Sequence, residues 1–411
     1  MPTSLRKDDK SALEDNFIVY DDPRFGANEA GSVFLLPALK NKKEALALLN
    51  ILLKEYPYVS MDPSSSFKLK AKKDGREIFF SLNQEKDTFL WTVKGIYPSS
   101  LRNPCFQSSE TSFPSDLKKL LKKGWSRKEQ DFENAKREAL RLLKKEAEDP
   151  CFKLKKLLGL NILEKTGYGE SLFGEEEKIA SLTYLDVDLA LKNIMEEEKI
   201  SIYIGNTYYR PVLNYRSLFK PSERIFPFSF PNLEIGAIKD LETVGKGVEG
   251  DYLGLVYKSF KADSELSYLL SLLLKRTIYS FKGPLNQRLL ASGMGLINCE
   301  SDLFLGFDVL FISLKGHQKE EALKIVKEVK ETEMEKEFSF AKGELEKELL
   351  NGSSSLDEVF SFLLFSRLSG LKLQRDVLET RLQGIDYPLF KKALNTPSYM
   401  GSLLLKGDLY D

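Results

Sequence analysis

Histidine is almost absent from this chain, with His317 the single example among 411 residues. Zinc sites built on two histidines are thereby excluded, and a Ser–His–Asp relay has one candidate base. His317 lies in Lys315-Gly316-His317-Gln318-Lys319, ahead of a charged helix, with no acidic or nucleophilic partner nearby in sequence. That setting describes a solvated loop residue. Cysteine is scarce as well: Cys105, Cys151 and Cys299 are an odd number without metal-ligand spacing, as expected of reduced thiols in a cytoplasm. No run of 18 apolar residues occurs, so no bilayer-spanning helix is expected. The polar opening over residues 1–10 lacks the apolar core of a secretory signal, and a cytoplasmic location is the expectation. Charge of one sign is missing too. The 61 Lys and Arg residues balance 61 Asp and Glu, which argues against nucleic acid or an anionic membrane as partner. Neither a phosphate-binding Gly-x-x-x-x-Gly-Lys-Ser/Thr loop nor a Gly-x-Ser-x-Gly elbow is present. Gly245-x-Gly247-x-x-Gly250 leads into a strand instead of a helix and reads as a turn.

What is present is 42% hydrophobic residues in a pattern of alternating strands and helices, enough for a core in two or three domains. The spacing predicts a helix over 42–55, with apolar residues at 45, 46, 48, 49, 52 and 53. A long charged helix over 130–148 stops at Asp149-Pro150, and another follows over 152–165. Thr183 and Asp186 stand in capping-box spacing ahead of a helix to 197. Later helices are expected over 264–280, 320–350 (one or two) and 356–368. Strands are expected at 17–20, 31–36, 67–71, 78–82, 89–93, 200–205, 253–260, 303–314 and 403–407. In the 303–314 run, Leu303, Leu305, Phe307, Val309 and Phe311 share one face. Residues 241–244 do not make a convincing strand.

The halves share local sequence. Phe132-x-x-Ala135-Lys136-x-Glu138 recurs 206 residues later as Phe338-x-x-Ala341-Lys342-x-Glu344. Leu52-Leu53-Lys54 recurs as Leu273-Leu274-Lys275, and Ile202-Tyr203-Ile204-Gly205 resembles Leu404-Leu405-Lys406-Gly407. Matches in one order at nearly one spacing indicate a duplication of about 200 residues. The expected organisation is α+β, with two tandem homologous units at 14–213 and 233–411. Each is a mostly antiparallel sheet with helices on one face. The proline-interrupted stretch 214–232 is read as a linker.

Several stretches carry a family likeness. They are Phe132-Glu133-x-x-Lys136 running to Asp149-Pro150, Tyr168-Gly169-Glu170-Ser171-Leu172-Phe173-Gly174 with the helix start after it, and Gly283-Pro284-Leu285-Asn286 through Gly293-Met294-Gly295-Leu296. Together with the duplication they resemble the insulinase-like (pitrilysin) zinc metallopeptidases. Active members carry His-x-x-Glu-His on the first helix. The resemblance places Leu46, Leu49 and Asn50 at those positions, with Glu133 as a possible remnant of the third ligand. An apolar pair neither binds zinc nor takes a proton, so the likeness is to a catalytically inactive member with no cofactor of its own. In the family, two such chains can close around a peptide, one bearing zinc and the other offering an arginine–tyrosine pair. The nearest counterparts here are Arg288 and Asn298. The resemblance implies a non-catalytic subunit of a bacterial heterodimeric peptidase, with a zinc-bearing partner and a peptide substrate in processing or degradation. A stand-alone peptide-binding or scaffold protein on the same fold is the alternative.

Overall fold

The computed structural model describes residues 17–21, 27–56, 77–85, 88–98, 120–122, 124–164, 166–197, 199–205, 237–316, 318–351, 355–371 and 373–408. The expected strand at 67–71, the stretch 214–232, Cys105 and His317 lie outside them. The first half forms β1 (Phe17–Asp21), β2 (Ala27–Pro37), α1 (Lys43–Glu55), β3 (Glu77–Glu85), β4 (Thr88–Pro98), α2 (Glu129–Glu148), α3 (Pro150–Asn161), α4 (Glu176–Ser181), α5 (Tyr184–Glu196) and β5 (Lys199–Gly205). The second half forms β6 (Lys239–Gly245), β7 (Asp251–Lys258), α6 (Glu265–Thr277), α7 (Pro284–Ala291), β8 (Gly295–Asp302) and β9 (Phe307–Leu314). It continues with α8 (Lys319–Glu331), α9 (Glu335–Asn351), α10 (Leu356–Ser369), α11 (Arg375–Gln383), α12 (Tyr387–Ala393) and β10 (Ser398–Gly407).

The two sheets have one topology. Their orders are β1-β5-β2-β4-β3 and β6-β10-β7-β9-β8, the second being the first with every number raised by five. In each, one edge pair is parallel (β1 with β5, β6 with β10) and the remaining neighbours are antiparallel. The chain is therefore α+β with two like-built units.

The sequence repeat has a structural counterpart. Phe132 and Ala135 are buried on α2, as Phe338 and Ala341 are on α9. The Lys136 ammonium donates to the Ala180 carbonyl at the end of α4, while that of Lys342 donates to the Gln383 and Ile385 carbonyls at the end of α11. Each lysine thus satisfies carbonyls that a helix C-terminus leaves unpaired. A capped helix follows in both units. Thr183 and Asp186 form the expected capping box on α5, and the Asp386 side chain accepts from Leu389 N–H on α12. Tyr184 and Tyr387 then lie against Phe132 and Phe338, with ring centroids 4.3 and 5.8 Å apart.

The spatial units are not the contiguous stretches 14–213 and 233–411. Residues 146–170 pack with the second unit and residues 355–364 with the first. Helix α3 lies over β7, where Gly254 leaves room: a Cβ there would fall 2.6 Å from Leu158 Cδ1. The first residues of α10 lie over β2, where a Cβ on Gly31 would fall 2.6 Å from Phe360 Cε2. Each sheet thus carries helices of its own half on one face and one helix from the other half on the opposite face. No heptad or caps in the sequence mark that exchange; the two glycines inside strands are its visible trace.

Three further differences have local causes. The expected strand 303–314 is β9 preceded by the turn that joins it to β8. Asp302 accepts from the amides of Phe304 and Leu305, and Gly306 takes φ +77°, so residues 303–306 turn. Residues 241–244 belong to β6, an edge strand whose polar, exposed pattern hid its pairing with β10. The stretch 320–350 holds two helices, α8 and α9.

Candidate functional site

Helix α1 occupies the place where the resemblance puts a zinc motif. It begins without a side-chain cap and ends at Tyr56, whose amide donates to the Leu52 carbonyl. Nine of its thirteen residues are buried, which makes it a core helix with apolar character on almost every side. Leu46 and Leu49 are both 0% exposed and belong to the cluster that also holds Trp91, Trp125, Phe132 and Ile179. Burying each of these leucines stabilises the unit by about 1.5–3 kcal/mol. Asn50, between them and the sheet, accepts a hydrogen bond from Trp91 Nε1 through its side-chain oxygen. Its one good acceptor is engaged by an indole that has no other use for its N–H.

Glu133 does not complete a ligand set. It projects from α2 with 54% of its side chain exposed and pairs with Lys136 at 3.7 Å. Such an i,i+3 pair on a helix surface is worth a few tenths of a kcal/mol. Among the described residues no group of three or more His, Cys, Asp or Glu side chains could hold a metal. The three residues that the resemblance sets at the zinc motif therefore do not fit zinc: two buried hydrocarbons and an amide already hydrogen-bonded supply no ligand charge.

Arg288 lies on α7 and is half-buried; its guanidinium donates to Thr332 Oγ1 at 2.9 Å. Asn298 lies on edge strand β8, exposed, where the register slips between Leu296 and Asn298. Its side-chain oxygen accepts from the amide of Cys299 at 2.9 Å. Buried Asn286 ties this region together, donating to the Phe281 carbonyl and accepting from the Leu296 amide. Beside these groups Phe281, Leu290 and Ile297 stand exposed at 77%, 55% and 44%.

Two polar clusters were not visible as sites in the sequence. Asp308 on β9 is 2% exposed, and burial raises its carboxyl, offset in part by Ser259, Ser301, Lys275 and Lys330. Lys330 lies 4.3 Å over the Tyr257 ring. The hydroxyls of Thr277 and Tyr279 are buried without a hydrogen-bond partner among the described residues. Sealed groups of this kind are closed to substrate. The second cluster is Glu29 on β2 with Lys94 on β4. Glu29 is 0% exposed, and its signal in the sequence is a lone acid in the otherwise apolar or small run 29–36.

Cys299 is 6% exposed, and burial raises its thiol to about 12, which makes it unreactive.

No family model matches the sequence, and neither does the sequence of any curated protein. Solved structures do match over nearly the whole chain. A conserved protein from Enterococcus faecalis V583 has a TM-score of 0.78 at 13% identity, covering 97% of this chain and 98% of that one. A peptidase M16 inactive domain from Pseudomonas fluorescens has a TM-score of 0.70 at 12% identity, covering 95% and 94%. A protease from Helicobacter pylori has a TM-score of 0.67 at 12% identity, covering 95% and 96%. At these identities the likeness defines the fold, that of the insulinase-like M16 peptidases. No helix among the described residues is long and apolar enough to cross a membrane.

Proposed function

We propose that this chain is the non-catalytic subunit of a heterodimeric insulinase-like peptidase, acting in peptide processing or degradation. The observation that carries the reading is α1: a whole peptidase fold is kept while Leu46 and Leu49 are sealed in its core at the zinc position. The M16 inactive domain among the structural neighbours supports the same reading. A chain of this kind gains a catalytic role only from a zinc-bearing partner. Its own contributions would be chamber wall and substrate contacts, with Arg288 and Asn298 as the polar groups offered to a peptide. A contact of that kind typically buries about 1,200–2,000 Å² or more. Zero net charge brings no long-range repulsion to the association.

The test mixes this chain with a zinc-bearing chain of the same fold encoded beside it, and follows both size-exclusion elution and cleavage of a short peptide. The expected result is a one-to-one complex whose turnover exceeds that of the zinc-bearing chain alone. Arg288→Ala should lower turnover while leaving the complex intact. Equal cleavage with and without this chain, and no complex, would overturn the subunit reading in favour of a stand-alone peptide-binding scaffold.

A further inference from the structure

Glu29 is the one acidic side chain on the stretch of β2 that lies under α10. Neither carboxylate oxygen has a hydrogen bond within the described residues, and both are sealed from solvent. The nearest cation is the Lys94 ammonium, 3.6 Å from Oε1 and 17% exposed. That ammonium is in direct contact with Asp357, on the first turn of α10, whose side chain is 66% exposed. It also lies 5.8 Å from the Phe79 ring centroid and 5.5 Å from that of Phe360. Lys94 is thus placed between a buried acid of the sheet and an exposed acid of the helix, with an aromatic ring from each.

We propose that Glu29, Lys94 and Asp357 form a proton-operated latch that fastens the start of α10 to the first sheet. With Glu29 protonated, Lys94 is given over to Asp357 and the helix is held. With Glu29 ionised, the ammonium is drawn inward toward the less solvated carboxylate, and the hold on Asp357 weakens. The observed geometry matches the first state, since Lys94 touches Asp357 and lies farther, at 3.6 Å, from Glu29. Desolvation raises the Glu29 carboxyl, and the Lys94 charge opposes that rise without cancelling it.

Among the described residues, other groups near Glu29 do not replace this pair. By register, β5 presents Ile202 and Ile204 beside it, and β4 presents Ile96 next to Lys94. Glu77 on edge strand β3 is exposed, two strands away, and β1 contributes Tyr20. On α10, Glu358 is exposed beside Asp357, and Val359 and Phe360 are buried. Gly31 lets the helix approach, because any Cβ there would meet Phe360 and Lys94.

The readout is amide hydrogen exchange of residues 356–364 in the full chain between pH 5 and 9, corrected for intrinsic rates. A partly exposed ion pair of this kind changes protection by about 2- to 5-fold. The wild type should lose that protection as pH rises. Glu29→Gln, near-isosteric and fixed neutral, should stay protected throughout. Asp357→Asn, at an exposed position where folding is secure, should be low in protection at every pH. A wild-type profile flat from pH 5 to 9, or one that Asp357→Asn leaves unchanged, would overturn the latch whether or not the Glu29 variant folds.

Discussion

Rebuilding the family's zinc motif on α1 is the sharpest perturbation of this structure. The triple variant Leu46→His, Leu49→Glu, Asn50→His restores the ligand spelling on a helix of the right length. In an open cleft such side chains would meet solvent and metal. Here they meet a packed core, because Leu46 and Leu49 are 0% exposed. Removing two such leucines forfeits about 1.5–3 kcal/mol of burial each. Leaving the new polar atoms unsatisfied adds about 1–3 kcal/mol each, and more for a charged carboxylate. Loss of the hydrogen bond from Trp91 Nε1 to Asn50 adds about 1 kcal/mol. The sum, on the order of 6–13 kcal/mol, is comparable to the whole stability of a typical domain at about 5–15 kcal/mol. The expected outcome is a chain whose first unit is unfolded or molten, read by near-ultraviolet circular dichroism and by lost cooperativity in thermal melts. A triple variant that melts within a few degrees of wild type and takes up one zinc would refute the reasoning, because α1 would then border a cleft.

Smaller perturbations probe other elements. Thr183→Ala removes one half of the α5 capping box and should destabilise the first unit by about 1 kcal/mol, measured by urea denaturation. The Lys42 ammonium and the Thr183 amide lower the Asp186 carboxyl to about 2, so its contribution is complete above the ordinary carboxylate range and fades as pH falls toward 2. Asp186→Asn should flatten that acid limb of the melting curve. Gly254→Ala puts a methyl 2.6 Å from Leu158 Cδ1 and should destabilise the second unit by about 1–3 kcal/mol, whereas Gly247→Ala, with open space around it, should act through its φ of +69° alone. The Cys299 thiol should resist iodoacetamide at pH 8 in the folded chain and react once the chain is unfolded.

Much of the fold was legible because its signals are local. The apolar spacing of 45–53 marked α1, Asp149-Pro150 marked the boundary of α2 and α3, and Thr183 with Asp186 marked the start of α5. The repeat at Phe132 and Phe338 was legible because its residues do the same work twice, a buried ring and a lysine closing a helix end. The exchange of α3 and α10 was not, since a helix looks the same whichever sheet it covers. Strand β6 escaped because an exposed edge strand has no apolar face to alternate. At the candidate site, the expectation that no zinc ligand set is present rested on Leu46, Leu49 and one histidine in the chain. The sealing of those leucines, the Trp91 bond to Asn50 and the Glu29–Lys94–Asp357 cluster depend on residues brought together from distant segments.

The proposed role requires that the chain keep a peptidase fold while contributing no zinc ligand, and metal content measures this directly. The untagged protein, purified alone and in complex with the proposed zinc-bearing partner, is analysed for zinc by mass spectrometry of the element. The expected stoichiometry is well below one tenth of a zinc per isolated chain and one zinc per complex, retained by the partner when the two are separated. One tightly held zinc per isolated chain would contradict it.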